Sequence, residues 1–174
     1  SMNFHTDGKK TYHYYYAFPT FAWTLHYTNS GNNNDIGNII ASYGSVNLPL
    51  SKKINPLFIR LGFGAGWIEK KFDLEDNFKN LAIGSNLNLN VQIKFEKRFY
   101  KLKDHSFKYG ILLNHFSNGS FKRPNRGINL FQIQASYNLG IKHQNIDTSF
   151  KDFKNLNKNN LYVFNVSGFK ENKT

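Results

Sequence analysis

The chain has 174 residues, a formal net charge of +12, 17 Phe, 10 Tyr and no Cys. That length suits one domain, the missing cysteines exclude a disulfide framework or a thiolate metal site, and no run approaches the length of a transmembrane helix. The charge calls for anionic partners, nucleic acid or anionic lipid; the basic residues are dispersed and no helix-turn-helix or zinc-finger pattern occurs, which sets nucleic acid aside.

A polar average does not exclude a membrane β-barrel, whose lipid-facing and lumen-facing residues alternate and cancel. No signal-peptide pattern opens the chain, and Ser1-Met2 reads as a cloning remnant or an internal start from which any targeting segment has been removed. Residues 1–10 are polar and read as a flexible lead-in to a single domain over 11–174.

From Tyr15 to Tyr27 the odd positions are Tyr15, Ala17, Pro19, Phe21, Trp23, Leu25 and Tyr27, a period-two run in which Pro19 argues for an edge, a bulge or a bend. A TNSGNNND turn leads to a weaker run from Ile36 to Leu48. Beyond SKKINP the alternation is clean: Leu57, Ile59, Leu61, Phe63, Ala65 and Trp67 oppose Arg60, Gly62, Gly64 and Gly66. Leu87, Leu89, Val91, Ile93 and Phe95 oppose Asn88, Asn90, Gln92, Lys94 and Glu96. Phe107, Tyr109, Ile111 and Leu113 lead to His115 and Ser117, and a run from Ile128 to Ile141 follows. His143 to Asn160 is polar and lysine-rich, and Leu161 to Phe169 is a last short run.

One face of these strands is apolar and aromatic, the other rich in Asn, Gln, Gly and Ser. Amides suit the hydrogen-bonded lumen of a narrow barrel, and Phe, Tyr and Leu suit lipid contact with aromatic girdles. The expected fold is all-β, an antiparallel up-and-down transmembrane β-barrel of eight or more strands. A water-soluble lipocalin-like barrel, with apolar residues inside, is the competing architecture. Only seven runs are recognisable, whereas such barrels normally have an even number. Either a weak strand hides in Tyr12–Tyr27 or His143–Asn160, or the chain is part of a longer polypeptide, the second being favoured.

Residues spaced i, i+2 on a strand share a face. His115 and Ser117 continue the outward parity of Tyr109, Ile111 and Leu113, and Asn129 shares the parity of Phe131 and Ile133 on the next strand. A hairpin then brings all three to one end of the apolar band. A serine hydroxyl is a weak nucleophile unless an adjacent base takes its proton, and a lipid-facing site suits an acyl ester. From spacing alone, a satisfied surface pair is the commoner meaning of a His and a Ser near a strand end.

The segment HFSNGSFKRPNRGIN, residues 115–129, resembles the signature of the outer-membrane family of lipid A 3-O-deacylases (PagL) and acyloxyacyl-hydrolase-like enzymes. The specific part runs from Leu113 to Asn129; the stretches GFGAGW and DNFKNLAIGSNLN agree more loosely. The resemblance implies an outer-membrane barrel with a serine esterase site that hydrolyses an ester-linked acyl chain of lipid A or lipopolysaccharide. It makes Ser117 the nucleophile and His115 the general base. Backbone N–H groups around Asn118 and Gly119 would form the oxyanion hole, with Asn125 shaping the turn. The family pattern has glutamate where this chain has Asn129. An asparagine carbonyl still orients the histidine but lacks the charge that stabilises its protonated form. Glu69, with the outward parity of Trp67, is a conceivable substitute carboxylate; Glu96 has lumen parity.

Asn125 and Gly127 in PNRG are also ordinary turn residues. Lys70, Lys71, Lys122, Arg123 and Arg126 are candidates for lipid A phosphates or simply a solvated basic rim. His5, His13, His26, His105 and His143 lack ligand spacing, so neither metal nor cofactor is expected. Partners are lipid A and membrane lipid, with an envelope protein complex or a homodimer as further options. The alternative function is a catalytically silent barrel serving an envelope complex; a soluble binder ranks third.

Overall fold

The computed structural model describes residues 1–50, 57–102, 105–138 and 162–169. They form one antiparallel sheet of eight strands joined in chain order: β1 (Met2–His5), β2 (Thr20–Asn29), β3 (Asn38–Pro49), β4 (Leu57–Ile68), β5 (Leu87–Leu102), β6 (His105–Ser117), β7 (Ile128–Asn138) and β8 (Tyr162–Phe169). A five-residue helical turn, α1 (Thr11–Tyr15), lies between β1 and β2. No helix among the described residues is long and apolar enough to cross a membrane, a criterion that does not bear on strands.

The expected alternation holds from β2 to β7. On β5 the outward Leu87, Leu89, Val91, Ile93 and Phe95 are exposed while Asn88, Asn90, Gln92, Lys94 and Glu96 are buried. The same division separates Phe21, Trp23, Leu25 and Tyr27 from Ala22 and Thr24 on β2. The sheet is rolled: Gln132 Nε2 on β7 donates to Thr28 Oγ1 on β2 at 3.1 Å across the inner face, and Asn114 Nδ2 donates to Gln132 Oε1 at 2.9 Å. An outer face of exposed Phe, Trp, Tyr and Leu on β2 to β7, over an inner face rich in amides, is the surface a bilayer stabilises and water does not.

Three features differ from the alternation read along the chain. The eighth strand lies in the polar lead-in: Met2–His5 pairs with β2, from Met2 opposite Trp23 to His5 opposite Thr20. The run read from Tyr15 begins as a strand only at Thr20, after Ala17 and Phe18, which take left-handed φ angles of 50° and 59°; Pro19 marks the bend. Third, the interior is not polar throughout. At one end Ile39, Ala41, Tyr43, Ile68, Ile83, Phe116 and Ile128 form a buried apolar cluster. The glycines of GFGAGW make room for it: a Cβ at Gly66 would lie 2.6 Å from Phe116 Cε1, and one at Gly62 would lie 3.1 Å from Tyr43 Cδ2.

Deeper along the inner face three cations, Arg60, Lys94 and Lys108, gather around one carboxylate, Glu96. Lys94 pairs with Glu96, Lys108 Nζ lies 3.6 Å from Glu96 Oε1, and Arg60 stands at 4.0 Å. Lys94 Nζ also donates to Gln134 Oε1 at 2.9 Å. Buried ions require such partners, since an isolated charge in this interior carries a large desolvation cost. SKKINP, Leu139–Ile141 and the stretch His143–Asn160 lie outside the described residues.

Candidate active site

The β2–β3, β4–β5 and β6–β7 connections share one end of the sheet, and the His-Ser pair sits there, at the end of β6. Its placement follows from strand parity. His115 and Ser117 turn outward and are partly exposed, while Phe116 between them points inward and is fully buried in the apolar cluster. The middle residue of the triplet therefore locks the two flanking side chains onto the outer face. In the cross-strand register, Val91 lies opposite His115 and Leu89 opposite Ser117 on β5, and Asn129 lies opposite His115 on β7.

His115 Nδ1 lies 2.7 Å from Asn129 Oδ1. Facing a carbonyl oxygen, Nδ1 carries the proton and donates it, which leaves the Nε2 lone pair free to accept a proton. The Ser117 hydroxyl, two residues on, receives two donors, Asn125 Nδ2 at 2.9 Å and the Gly119 backbone N–H at 3.2 Å, and its own proton makes a longer bond to Asn125 Oδ1 at 3.4 Å. The orientation of Asn125 is set by its other end. The Asn118 backbone N–H can only donate, and it does so to Asn125 Oδ1 at 3.1 Å, so the amide nitrogen is turned toward Ser117. The Asn118 N–H is thus occupied by Asn125, while the Gly119 N–H and the Asn125 amide converge on the serine oxygen. Ser117 is hydrogen-bonded to these groups rather than to His115, and nucleophile–base bonds are often loose until substrate is bound.

The turn carrying these groups runs through three left-handed residues, Gly119, Ser120 and Gly127, with φ of 64°, 64° and 76°. Gly127 does more than allow the turn: a Cβ there would come 2.9 Å from His115 Cε1 and 3.2 Å from the Phe116 carbonyl oxygen. Only hydrogen at this position leaves the imidazole its place. As a letter in PNRG, Gly127 carries no sign of that contact, because the contact joins the start of β7 to the end of β6.

Glu69 does not serve as a substitute carboxylate. Its Oε2 accepts the Asn38 backbone N–H at 2.8 Å and Asn38 Nδ2 at 2.9 Å, and these bonds hold its carboxyl below the usual carboxylate range. It staples the β2–β3 connection to the end of β4. Lys122, Arg123 and Arg126 are exposed on the β6–β7 turn beside Phe121, which is 95 % exposed. Lys70 instead donates to the carbonyl oxygens of Asn33 and Asn34 at 2.9 and 3.2 Å. No group of His, Asp and Glu suited to a metal ion occurs among the described residues.

No curated protein and no solved structure matches the chain. A family match covers residues 1–138, ending with β7 and taking in both strands and the turn of the site. By that match the chain belongs to the lipid A 3-O-deacylase (PagL) family, whose members are outer-membrane β-barrel ester hydrolases.

Proposed function

We propose that this chain is an outer-membrane serine esterase that removes an ester-linked acyl chain from lipid A or lipopolysaccharide, with Ser117 as nucleophile, His115 as general base and Asn129 as the residue that orients the histidine. The observation that carries the reading is the pairing of a histidine held in its Nδ1–H form by Asn129 with a serine on the same outward face. Ser117 Oγ attacks the acyl carbonyl carbon as its proton passes to His115 Nε2. As charge develops on the acyl carbonyl oxygen beside Ser117 Oγ, the Gly119 N–H and the Asn125 amide transfer from the serine oxygen, which they hold before substrate arrives, to the oxyanion. Such preorganised donors typically contribute about 3–4 kcal/mol. Collapse returns the proton to the departing alcohol oxygen, and water then releases the fatty acid by the reverse route.

The face on which the site opens suits this substrate. Leu89 and Val91 flank Ser117 and His115 on β5, and Phe131 and Ile133 continue the apolar wall along β7. An acyl chain lies against this wall with its ester at the rim, where Lys122, Arg123 and Arg126 reach lipid A phosphates. The test is release of fatty acid from lipid A, or of p-nitrophenol from an acyl ester, by the protein in detergent. Ser117→Ala abolishes it; undiminished hydrolysis by that variant overturns the assignment.

Asn129 supports a second reading, a barrel that keeps the fold and serves an envelope complex without catalysis. Co-purification with a larger assembly, together with no hydrolysis by the intact protein, selects it.

A further inference from the structure

The stretch Asp76–Asn88 shares no strand with the catalytic groups, yet it meets the catalytic turn in three places. The Ala82 carbonyl accepts the Gly127 N–H at 3.0 Å. Ser85 Oγ accepts Asn118 Nδ2 at 2.9 Å. Gly84 lies so close beneath the turn that a Cβ would stand 2.7 Å from the carbonyl oxygens of both Lys122 and Arg123. Between these contacts Ile83 is fully buried in the cluster that also holds Phe116.

This connection is itself anchored. Asn80 is buried and accepts the N–H groups of Ala82 and Ile83 at 3.2 and 3.3 Å. Its amide donates to the carbonyls of Asp35 and Lys70 at 2.8 and 3.1 Å. Asn77 likewise reaches the carbonyls of Asp35 and Lys71 at 2.9 and 2.7 Å. All three connections at this end are thereby tied into one body.

We infer that Ser85 is a positioning residue for acyl transfer: it fixes Asn118, whose N–H fixes Asn125, whose amide is aimed at Ser117. This rests on the esterase reading above. Ser85 touches neither substrate nor nucleophile, so its effect is on the transition state through oriented donors, not on substrate affinity.

The experiment compares Ser85→Ala and Ser85→Thr with the wild type, folded in detergent, on a p-nitrophenyl acyl ester. Ser85→Ala lowers kcat about five- to tenfold, the worth of one hydrogen bond, with KM within about twofold, because only interactions made in the transition state are lost. Ser85→Thr, which keeps the hydroxyl acceptor, restores kcat. The Asn118 side-chain amide also donates to the Lys122 carbonyl at 2.8 Å, so in spectra of the 15N-labelled protein both its protons are protected from solvent exchange in the wild type, and one of the two loses that protection in Ser85→Ala. Wild-type kcat in Ser85→Ala, or a rise in KM alone, overturns this inference while leaving the esterase reading intact. Absence of hydrolysis by the wild type overturns both.

Discussion

Asn129 Oδ1 accepts the Nδ1 proton of His115 at 2.7 Å, directly across the β6–β7 pair. A carboxylate there would orient the ring in the same way and would also stabilise the imidazolium that the proposed reaction forms when Ser117 gives up its proton. The neutral amide does only the first. Each consequence of that division can be measured.

Asn129→Glu raises the hydrolysis rate by about tenfold or more, within the roughly 10⁴ that separates carboxylate from amide in a serine protease triad. The increase appears in kcat, since the added charge acts on a charge that exists only during the reaction. An unchanged or reduced rate makes asparagine the working residue of this site.

Gly127→Ala tests the packing of the imidazole. The new methyl meets His115 Cε1 at 2.9 Å, and the position has φ +76°, where a side chain adds a backbone cost of about 1–3 kcal/mol. Hydrolysis falls by about tenfold or more while the protein still folds. A displaced histidine ring signal in NMR spectra identifies the cause. Unaltered kcat shows that the ring does not depend on this gap.

Phe116→Ala removes the side chain that anchors the His-Ser triplet from the inside. A vacated aromatic site in a packed core costs about 3–5 kcal/mol, read as a lowered midpoint in urea unfolding from detergent. Activity declines with it, because His115 and Ser117 lose the residue between them that sets their direction. A midpoint equal to the wild type contradicts the apolar cluster at this end of the interior.

Glu69→Gln leaves hydrolysis at neutral pH within about twofold, because the carboxylate is engaged by Asn38 and not by His115. Its folded pKa is held down by the Asn38 N–H groups. Its contribution to order at the β2–β3 connection is therefore present above the ordinary carboxylate pKa and lost as pH falls through the depressed value. Limited proteolysis of this connection increases in acid for the wild type and loses that pH dependence in Glu69→Gln. A large loss of hydrolysis in this variant restores Glu69 to the catalytic group.

Two features of the fold escape the alternation for local reasons. Met2–His5 is a strand of four residues in a polar setting, too short to display alternation, and pairing with β2 supplies what periodicity does not. The amides that suit a hydrogen-bonded lumen are concentrated at the inward positions of β5 and β7, Asn88, Asn90, Gln92, Gln132 and Gln134. The apolar end is contributed by Ile39 and Ala41 on the weakly alternating β3, by Phe116 and by Ile83 from a connection. Their common depth in the interior is not a property of any one strand.

The sequence by itself determined which side of the sheet each strand residue occupies, and with it that His115, Ser117 and Asn129 share the outer face at one rim. Strand parity is a period-two geometry that needs only neighbours along the chain. The tertiary structure alone decided what surrounds that rim. It took Glu69 out of reach by bonding it to Asn38, gave Gly127 a contact with the imidazole, turned the Asn125 amide toward Ser117, and placed Ser85 against Asn118. These contacts join residues from separate connections whose meeting depends on how the rolled sheet brings its turns together, and no spacing within a single strand records it.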